Sequence, residues 1–330
     1  AGYLREAALL FEAMIERCDT ISVAEHKRCL SIAQKLWEVK TIAGADEAES
    51  ARHKAALDYF YSHLAAVNAY DRNERGEFAR LIEQMMSAVA MRYACHHIVW
   101  KPTGAMIEVE GAAPVPALTA EVEFVPLYFF ENTTGKLRYV ESGWGMAGKT
   151  LEPAQEWMVT KGRGVMFAAS IAYTYKDMSL KDWVVYSERY AQGKVLGTTP
   201  HSPESKEGQA MVETVTAFSG DAAAVVFNHQ GDKPPISMME PQGNSADIFA
   251  TLTARQEKRI VTLFLGSDLS TISSTQGQGQ GASLQQGEAE NRERADACNI
   301  GGTLRSHLDR AVIGFCFGHG TEPLAYVRLE

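Results

Sequence analysis

Apolar residues recur at three- and four-residue spacing through residues 1 to about 95. In "LREAALLFEAMIERCD" the residues Leu4, Ala8, Phe11 and Ile15 keep helical spacing, and "VAEHKRCLSIAQKLWEVK" continues the period through Leu30, Ile32, Leu36 and Trp37. "TIAGADEAESARHKAALDYFYSHLAAV" carries another amphipathic helix. "RGEFARLIEQMMSAVAMRYA" adds one with Phe78, Leu81, Ile82, Met85 and Met86 on one side, a stripe that reads as core or subunit interface. The pattern then changes. "HHIVWKP", "AEVEFVPLYFF" and "GKLRYVES" are short β-branched and aromatic runs split by turn signals such as "NTTG" (132–135). They predict a small β-rich insert over 96 to about 160.

Helical character returns in "MSLKDWVVYSERYAQGK", with Ser179 as N-cap, Asp182 three residues on as in a capping box, and Gly193 as the stop. "GRGVMFAASIAYTYKD" reads as a separate helical segment before it. "SPESKEGQAMVETVTAFSGDAAAVVFNHQG" predicts helix, turn and strand. A Pro/Gly-rich loop at 231–245 and the helix "ADIFATLTARQEKRIVTLFLG" follow. The Gly/Gln-rich run 274–288 predicts a mobile loop. The chain continues through the charged "AENRERADA" to a helix over "GTLRSHLDRAVIGFCFG". No internal repeat is present, and the fold class expected is α+β.

Composition narrows the function classes. Hydrophobic residues make up 45% and charged residues 22% of the 330, enough for a real core. The net charge of −9 argues against a nucleic-acid coat, though not against a surface past which DNA slides. No apolar run approaches the ~18 residues a membrane helix needs, and the opening reads as an acid-bearing amphipathic helix rather than a signal peptide. Five cysteines, Cys18, Cys29, Cys95, Cys298 and Cys316, without a C-x-x-C pair read as reduced thiols. "CHH" (95–97) places neighbours on opposite faces of a strand, and no second cluster completes a metal site. No metal and no cofactor is expected.

One string points to chemistry. "GWGMAGKT" (143–150) fits G-x-x-x-x-G-K-[ST], with Gly143, Gly148, Lys149 and Thr150 in the phosphate-cradling roles. The following "LEPAQEWMVTKGRG" is interrupted by Gly162 and Gly164 where a P-loop helix must run on, and the nearest strand for a magnesium partner, "AAAVVFN", ends in Asn228 rather than Asp. The expectation is a Gly-rich hairpin or loop with a solvated Lys149. Cys316 in "GFCFGHG" reads as a small core residue, and no G-x-S-x-G or H-E-x-x-H occurs. No catalytic residue is expected.

Several stretches occur in a fixed order: "LFEAMIERCDTISVAEHKRCLSIAQKLWEVK", "MMSAVAMRYACHHIVWKP", "FVPLYFFENTTGKLRYV", "YTYKDMSLKDWVVYSERYAQGKVLGTTP", "SGDAAAVVF" and "RQEKRIVTLFLGSDLST". Their order resembles the portal proteins of Mu-like tailed bacteriophages over nearly the whole chain. Lys176, Ser179, Leu180, Lys181, Asp182, Trp183, Tyr190 and Gly197 carry the most specific part. "YAQGKVLG" departs from the family's usual "YG" followed by a Pro-containing segment, and larger portals continue into a crown past the position of Glu330. The resemblance implies a phage portal fold with helical wing and stem and a small β-rich clip. The wing would be 1–95 and 197–330, the clip 96–163, the stem region 164–196. It implies a dodecameric ring at the capsid vertex of the virion, assembled in host cytoplasm, through which double-stranded DNA passes during packaging and ejection. The partners implied are the terminase large subunit, the major capsid protein and a head-completion or neck adaptor protein. Carried onto this chain, it makes Lys233, Arg255, Lys258 and Arg259 candidate DNA-channel contacts. Gly231, Pro234, Pro235 and Gly243 become candidates for a tunnel loop at 231–245, and Lys136 and Arg138 for clip docking. The rival readings are a P-loop motor subunit and another head or neck component.

Overall fold

The computed structural model describes residues 2, 4–141, 148–151, 155–190, 194–219, 223–227, 235–239, 245–266 and 280–330. The periodic opening becomes α1 (Arg5–Arg17) and α2 (Asp19–Ala33), which bury Ala8, Phe11 and Met14 from the first and Ile21, Ala24, Arg28, Cys29 and Ile32 from the second. Strand β1 (Trp37–Thr41) follows, then α3 (Glu47–His63), where the Asp46 carboxylate accepts the Glu49 N–H at 3.0 Å. That cap satisfies one of the orphan donors of the helix, and Glu47 and Glu49 suit the positive end of its dipole.

Two short strands that the helical periodicity hides, β2 (Ala65–Asn68) and β3 (Arg75–Gly76), precede α4 (Phe78–Met91). Helix α4 buries the whole predicted stripe of Phe78, Leu81, Ile82, Met85 and Met86. Arg92, with φ of 83°, ends it and turns the chain at once into β4 (Tyr93–Ile107). Strand β5 (Val115–Val125) returns antiparallel to β4. A 3-10 turn at Leu127–Phe129 leads to a three-stranded sheet of β6 (Phe130–Glu131), β7 (Arg138–Tyr139) and β8 (Lys149–Thr150), and β9 (Trp157–Lys161) comes back to pair with β4. The larger sheet is ordered β3-β2-β5-β4-β9, with β2 parallel to β5 and the other pairs antiparallel.

This sheet corrects the expected boundary at residues 95 and 96. The β-rich stretch is not a separable insert, because β2, from the first 95 residues, supplies the second partner of β5. A free-standing insert would leave that β5 edge with unpaired N–H and C=O groups. Helix α4 and the sheet are also joined closely: a Cβ on Gly162, just past β9, would stand 2.1 Å from the Ala88 carbonyl oxygen.

Beyond β9, α5 (Met166–Tyr190) is one helix of 25 residues. Ser179 is therefore no N-cap. It lies mid-helix, 3% exposed, and its hydroxyl donates to the Phe249 carbonyl at 3.4 Å. A tertiary partner has taken the role that local spacing assigns to capping, and no Gly or Pro between 166 and 190 interrupts the helix. Next come β10 (Lys194–Thr198), α6 (Lys206–Ser219), β11 (Ala223–Val226), β12 (Ile236–Met239) and α7 (Ser245–Leu265). The expected loop at 231–245 thus contains a strand, which pairs antiparallel with β10. Strand β11 lies parallel on the other side of β10. Helix α6 packs there closely: a Cβ at Gly197 would come within 2.7 Å of Val215 Cγ2.

The last segment is α8 (Gln280–Leu304), a π-helical turn at Arg305–Asp309, α9 (Arg310–Phe317) and β13 (Ala325–Leu329), which pairs antiparallel with β1 from Trp37–Leu329 to Thr41–Ala325. Residues 280–288 of the expected mobile loop are therefore the opening turns of α8, and 274–279 lie outside the described residues. Gln, Ala, Leu and Glu dominate those turns and are good helix formers. In the π turn, the buried Asp309 accepts the Tyr61 hydroxyl at 2.6 Å and the Val327 N–H at 3.3 Å. It joins α3, α8 and β13 in this way, and burial pushes its carboxyl up to about 6.

The chain divides into two units, residues 1–171 with 258–330, and residues 172–257, with the divisions falling inside α5 and α7. In the first unit Arg28, 7% exposed, holds Asp296 of α8 in a bidentate pair (2.9 and 3.0 Å) and donates to the Phe264 carbonyl in the last turn of α7 (2.7 Å). Replacing Arg28 by Met leaves the Asp296 carboxylate and a helix-terminal carbonyl without their donors. It is expected to lower the unfolding free energy by about 3 kcal/mol, with Arg28→Lys retaining part of the loss; urea denaturation of the three proteins measures both.

Candidate functional site

The P-loop string can be judged from its second half. Gly143 lies outside the described residues, as do all of 142–147. Lys149 and Thr150 form β8, opposite Tyr139 and Arg138 of β7. A phosphate cradle needs that Lys and hydroxyl to open a helix whose N–H groups converge on the anion. Here they continue a strand, and the exposed Lys149 ammonium pairs with Glu141 at 2.7 Å.

The same small sheet contains the charged centre that the sequence reading missed. Glu131, 1% exposed, accepts the Thr133 N–H and hydroxyl, both at 2.6 Å, the Gly148 N–H at 3.2 Å and the Arg138 Nε–H. Burial alone would raise its carboxyl, but the Thr133, Arg138 and Gly148 donors outweigh it and hold it down at about 2. Arg138 therefore closes an internal clamp, with its side chain 21% exposed. Lys136, in the adjoining turn, is exposed. A lone acid after a Phe-rich run, in "FFENTTG", is the only trace of this clamp in the sequence.

Of the channel candidates, Lys233 lies outside the described residues, and Arg255, Lys258 and Arg259 are exposed on α7. Their spacing of three and four places them along one side of that helix. Gly231, Pro234 and Gly243 also lie outside the described residues, while Pro235 is exposed and its carbonyl accepts the Thr198 N–H at 2.8 Å.

Within residues 172–257, α5 and α7 run antiparallel along a polar seam. The Lys176 ammonium, on a side chain 8% exposed, meets Glu257 at 2.8 Å. Thr253 donates to Ser179 at 3.4 Å, and the rings of Tyr186 and Phe249 lie 5.7 Å apart. Lys176 and Ser179, two residues of the most specific stretch in the sequence, thus serve helix pairing.

Burial quenches His96, Cys95 and Cys316. His96 is fully buried and pushed down to about 3 by desolvation, so its imidazole stays neutral at neutral pH. Burial raises the Cys95 thiol strongly and takes Cys316 up to about 11, and Cys316 donates to the Pro116 carbonyl at 3.2 Å. Among the described residues no three His, Cys, Asp or Glu side chains cluster as metal ligands would.

The mixed helical and sheet architecture agrees with the comparisons. The family described as "Portal protein of Mu bacteriophage" matches residues 8–330. This chain belongs to that family. Its structure is similar to an HK97-family phage portal protein from Corynebacterium diphtheriae, with a TM-score of 0.51 at 12% identity over 96% of this chain and 95% of that one. It is also similar to a chain of the virion of a native gene transfer agent particle, with a TM-score of 0.55 at 12% identity over 98% and 83%. A chain from the neck of a native particle of that kind, computed with C12 symmetry, gives a TM-score of 0.55 at 11% identity over 94% and 80%. No curated protein sequence matches. At such identities these likenesses show the fold, and the family rests on the sequence match. The portal family is structural rather than catalytic.

Two predictions follow from the clamps of this portal-family chain. The folded pKa of Glu131 lies below its ordinary 4.5, so the folded state binds fewer protons than the unfolded one between those values. The stability it contributes is complete above about pH 4.5 and disappears as pH falls toward about 2. Melting curves from pH 2 to 6 are expected to show wild type losing its advantage over Glu131→Gln across that window. In the α5–α7 seam, Glu257→Ala takes the ion-pair carboxylate from a buried ammonium and is expected to cost about 2 kcal/mol, whereas Lys176→Met, which removes that charge, costs less; urea denaturation of both variants compares them.

Proposed function

We propose that this chain is the repeating subunit of a dodecameric portal ring at the capsid vertex, a conduit for double-stranded DNA during packaging and ejection. The ring would also dock the terminase large subunit, a head-completion or neck adaptor protein and the major capsid protein. The observation that carries the reading is the family match over residues 8–330. A similar chain in a neck computed with C12 symmetry supports the ring. The motor's nucleotide hydrolysis belongs to a separate protein in this reading, in keeping with Lys149 and Thr150 sitting in a strand.

The charge balance suits a conduit. DNA presents one charge per about 1.7 Å of axis, and a densely basic wall would hold it by counterion release rather than let it slide. A chain of net charge −9 that exposes Lys258 and Arg259 one turn beyond Arg255 on the same helix offers brief phosphate contacts on an acidic background. For the segment that docks partners, residues 172–257 are a better candidate than 96–163. They form a compact unit with its own three-stranded sheet, whereas 96–163 is held in a sheet shared with β2 and β3.

Native mass spectrometry of the purified chain, with negative-stain images of the same sample, tests this. The expected result is a closed ring of about twelve subunits with a central hole. A particle that stays monomeric or forms a small closed oligomer, with capsid proteins present as well as absent, would overturn it.

A further inference from the structure

We propose that one side of α5 and the opposite side of α7 are the two halves of a subunit–subunit contact, with Asp177, Leu180 and Val184 of one copy seated on Arg255, Leu252 and Ile248 of the next. This rests on the ring reading and adds the pair of faces and their register. Helix α5 turns Ala172, Lys176 and Ser179 inward and half-buries Trp183 and Tyr186, all on one stripe. Beside that stripe, Asp177, Leu180 and Val184 recur at three- and four-residue spacing, exposed to solvent, Val184 by 58%. On α7 the inward positions are Thr253 and Gln256, and the neighbouring stripe is Ile248, Leu252 and Arg255, with Ile248 67% exposed.

The contacts along the α5–α7 seam fix the register. Lys176 meets Glu257, Ser179 meets Thr253 and Tyr186 meets Phe249. In antiparallel helices of equal rise, those crossings put Asp177 level with Arg255, Leu180 with Leu252 and Val184 with Ile248. Rotation about an axis parallel to the pair moves a copy sideways without changing these levels. An acid then meets a base and two exposed apolar residues meet two others.

The handedness of the helices adds a second constraint. Because α5 and α7 are right-handed and antiparallel, the two stripes fall on opposite sides of the pair, so they cannot meet within one chain. A closed ring needs this arrangement, two different complementary faces on every subunit. The other exposed stripe of α5, Tyr175, Met178 and Val185, is a poorer match. Its counterparts at the same levels on α7 are Glu257, Ala254 and Asp247, which include two acids and no large apolar residue.

Charge reversal tests the contact in the full chain. Asp177→Arg and Arg255→Asp each set like charges level across every contact and are expected to reduce the ring fraction in native mass spectrometry. The double variant restores the opposite pairing and is expected to recover rings. Because reversal can also harm folding, Leu180→Cys and Leu252→Cys combined in one chain form the second test. Oxidation is expected to give a ladder of disulfide-linked multimers on a non-reducing gel, absent from either single variant. Rings that survive both single reversals, or a double-cysteine chain that yields no ladder although rings form, would overturn this contact and leave the ring reading standing. A wild-type chain that forms no ring overturns both.

Discussion

One buried guanidinium holds together parts of the chain that are far apart in sequence. Arg28 lies on the second helix, yet its donors are spent on Asp296 and on the carbonyl of Phe264, more than two hundred residues away. A planar fork can satisfy a carboxylate on two sides and still reach a third acceptor, which an ammonium does with less geometric control. The carbonyl it takes is one of the orphan acceptors at the end of α7, where the helix dipole also favours a cation. Both flanks of residues 267–279 are thus tied to the N-terminal helices. The β1–β13 pairing does the same for the C-terminal strand, and Asp309 ties the π turn to α3. The first unit is consequently built from the two ends of its sequence, with residues 172–257 intervening between them.

That arrangement explains which features were legible in the sequence. The stripe of α4 was readable because a helix facing a sheet must repeat its apolar residues at helical spacing, and Phe78 to Met86 do so. The helical course of α1 and α2 and the turn at 132–135 follow from equally local patterns, but the helical period read on through Leu36 and Trp37 stops at Ala33, and Trp37 opens β1, whose partner is the distant β13. Features set by distant partners were not legible. Ser179 has the spacing of a cap, but its hydroxyl is used by Phe249, seventy residues on. Strand β2 is only four residues long, and its membership of the sheet is decided by β5 rather than by its own alternation. Gly- and Gln-rich composition suggested a loop at 274–288, and from residue 280 the structure has the start of a long helix.

The candidate site divides along the same line. The P-loop string is a local pattern, and a local pattern specifies phosphate chemistry only where strand, loop and helix succeed one another around it. Here the following residues pair with β7, and Gly148 gives its N–H to Glu131. The resemblance to portal proteins drew instead on the order of many weak stretches, and this made it robust to the misreading of single elements. Among the residues it projected, Arg138 pairs internally with Glu131, and Arg255, Lys258 and Arg259 lie along one exposed side of a helix.

The distribution of charge connects these observations to a ring. Copies of a chain with net charge −9 repel one another when gathered around an axis, and that repulsion must be offset locally. Several of the acids are already engaged internally: Glu131 by Arg138, Asp296 by Arg28, and Glu257 by Lys176. These pairs engage cations that are buried or largely covered, which withdraws them from the exposed surface. Arg255, Lys258 and Arg259 are among the cations that stay exposed, and they share one helix. One of them, Arg255, is level with an acid on α5, and the next, Lys258 and Arg259, lie a turn further toward the C-terminal end of the helix. On the reading proposed above, a helix that sets its first basic residue against a neighbouring copy and presents the others one turn on would serve ring closure and phosphate contact together. It can do so without the charge density that would stop DNA from moving.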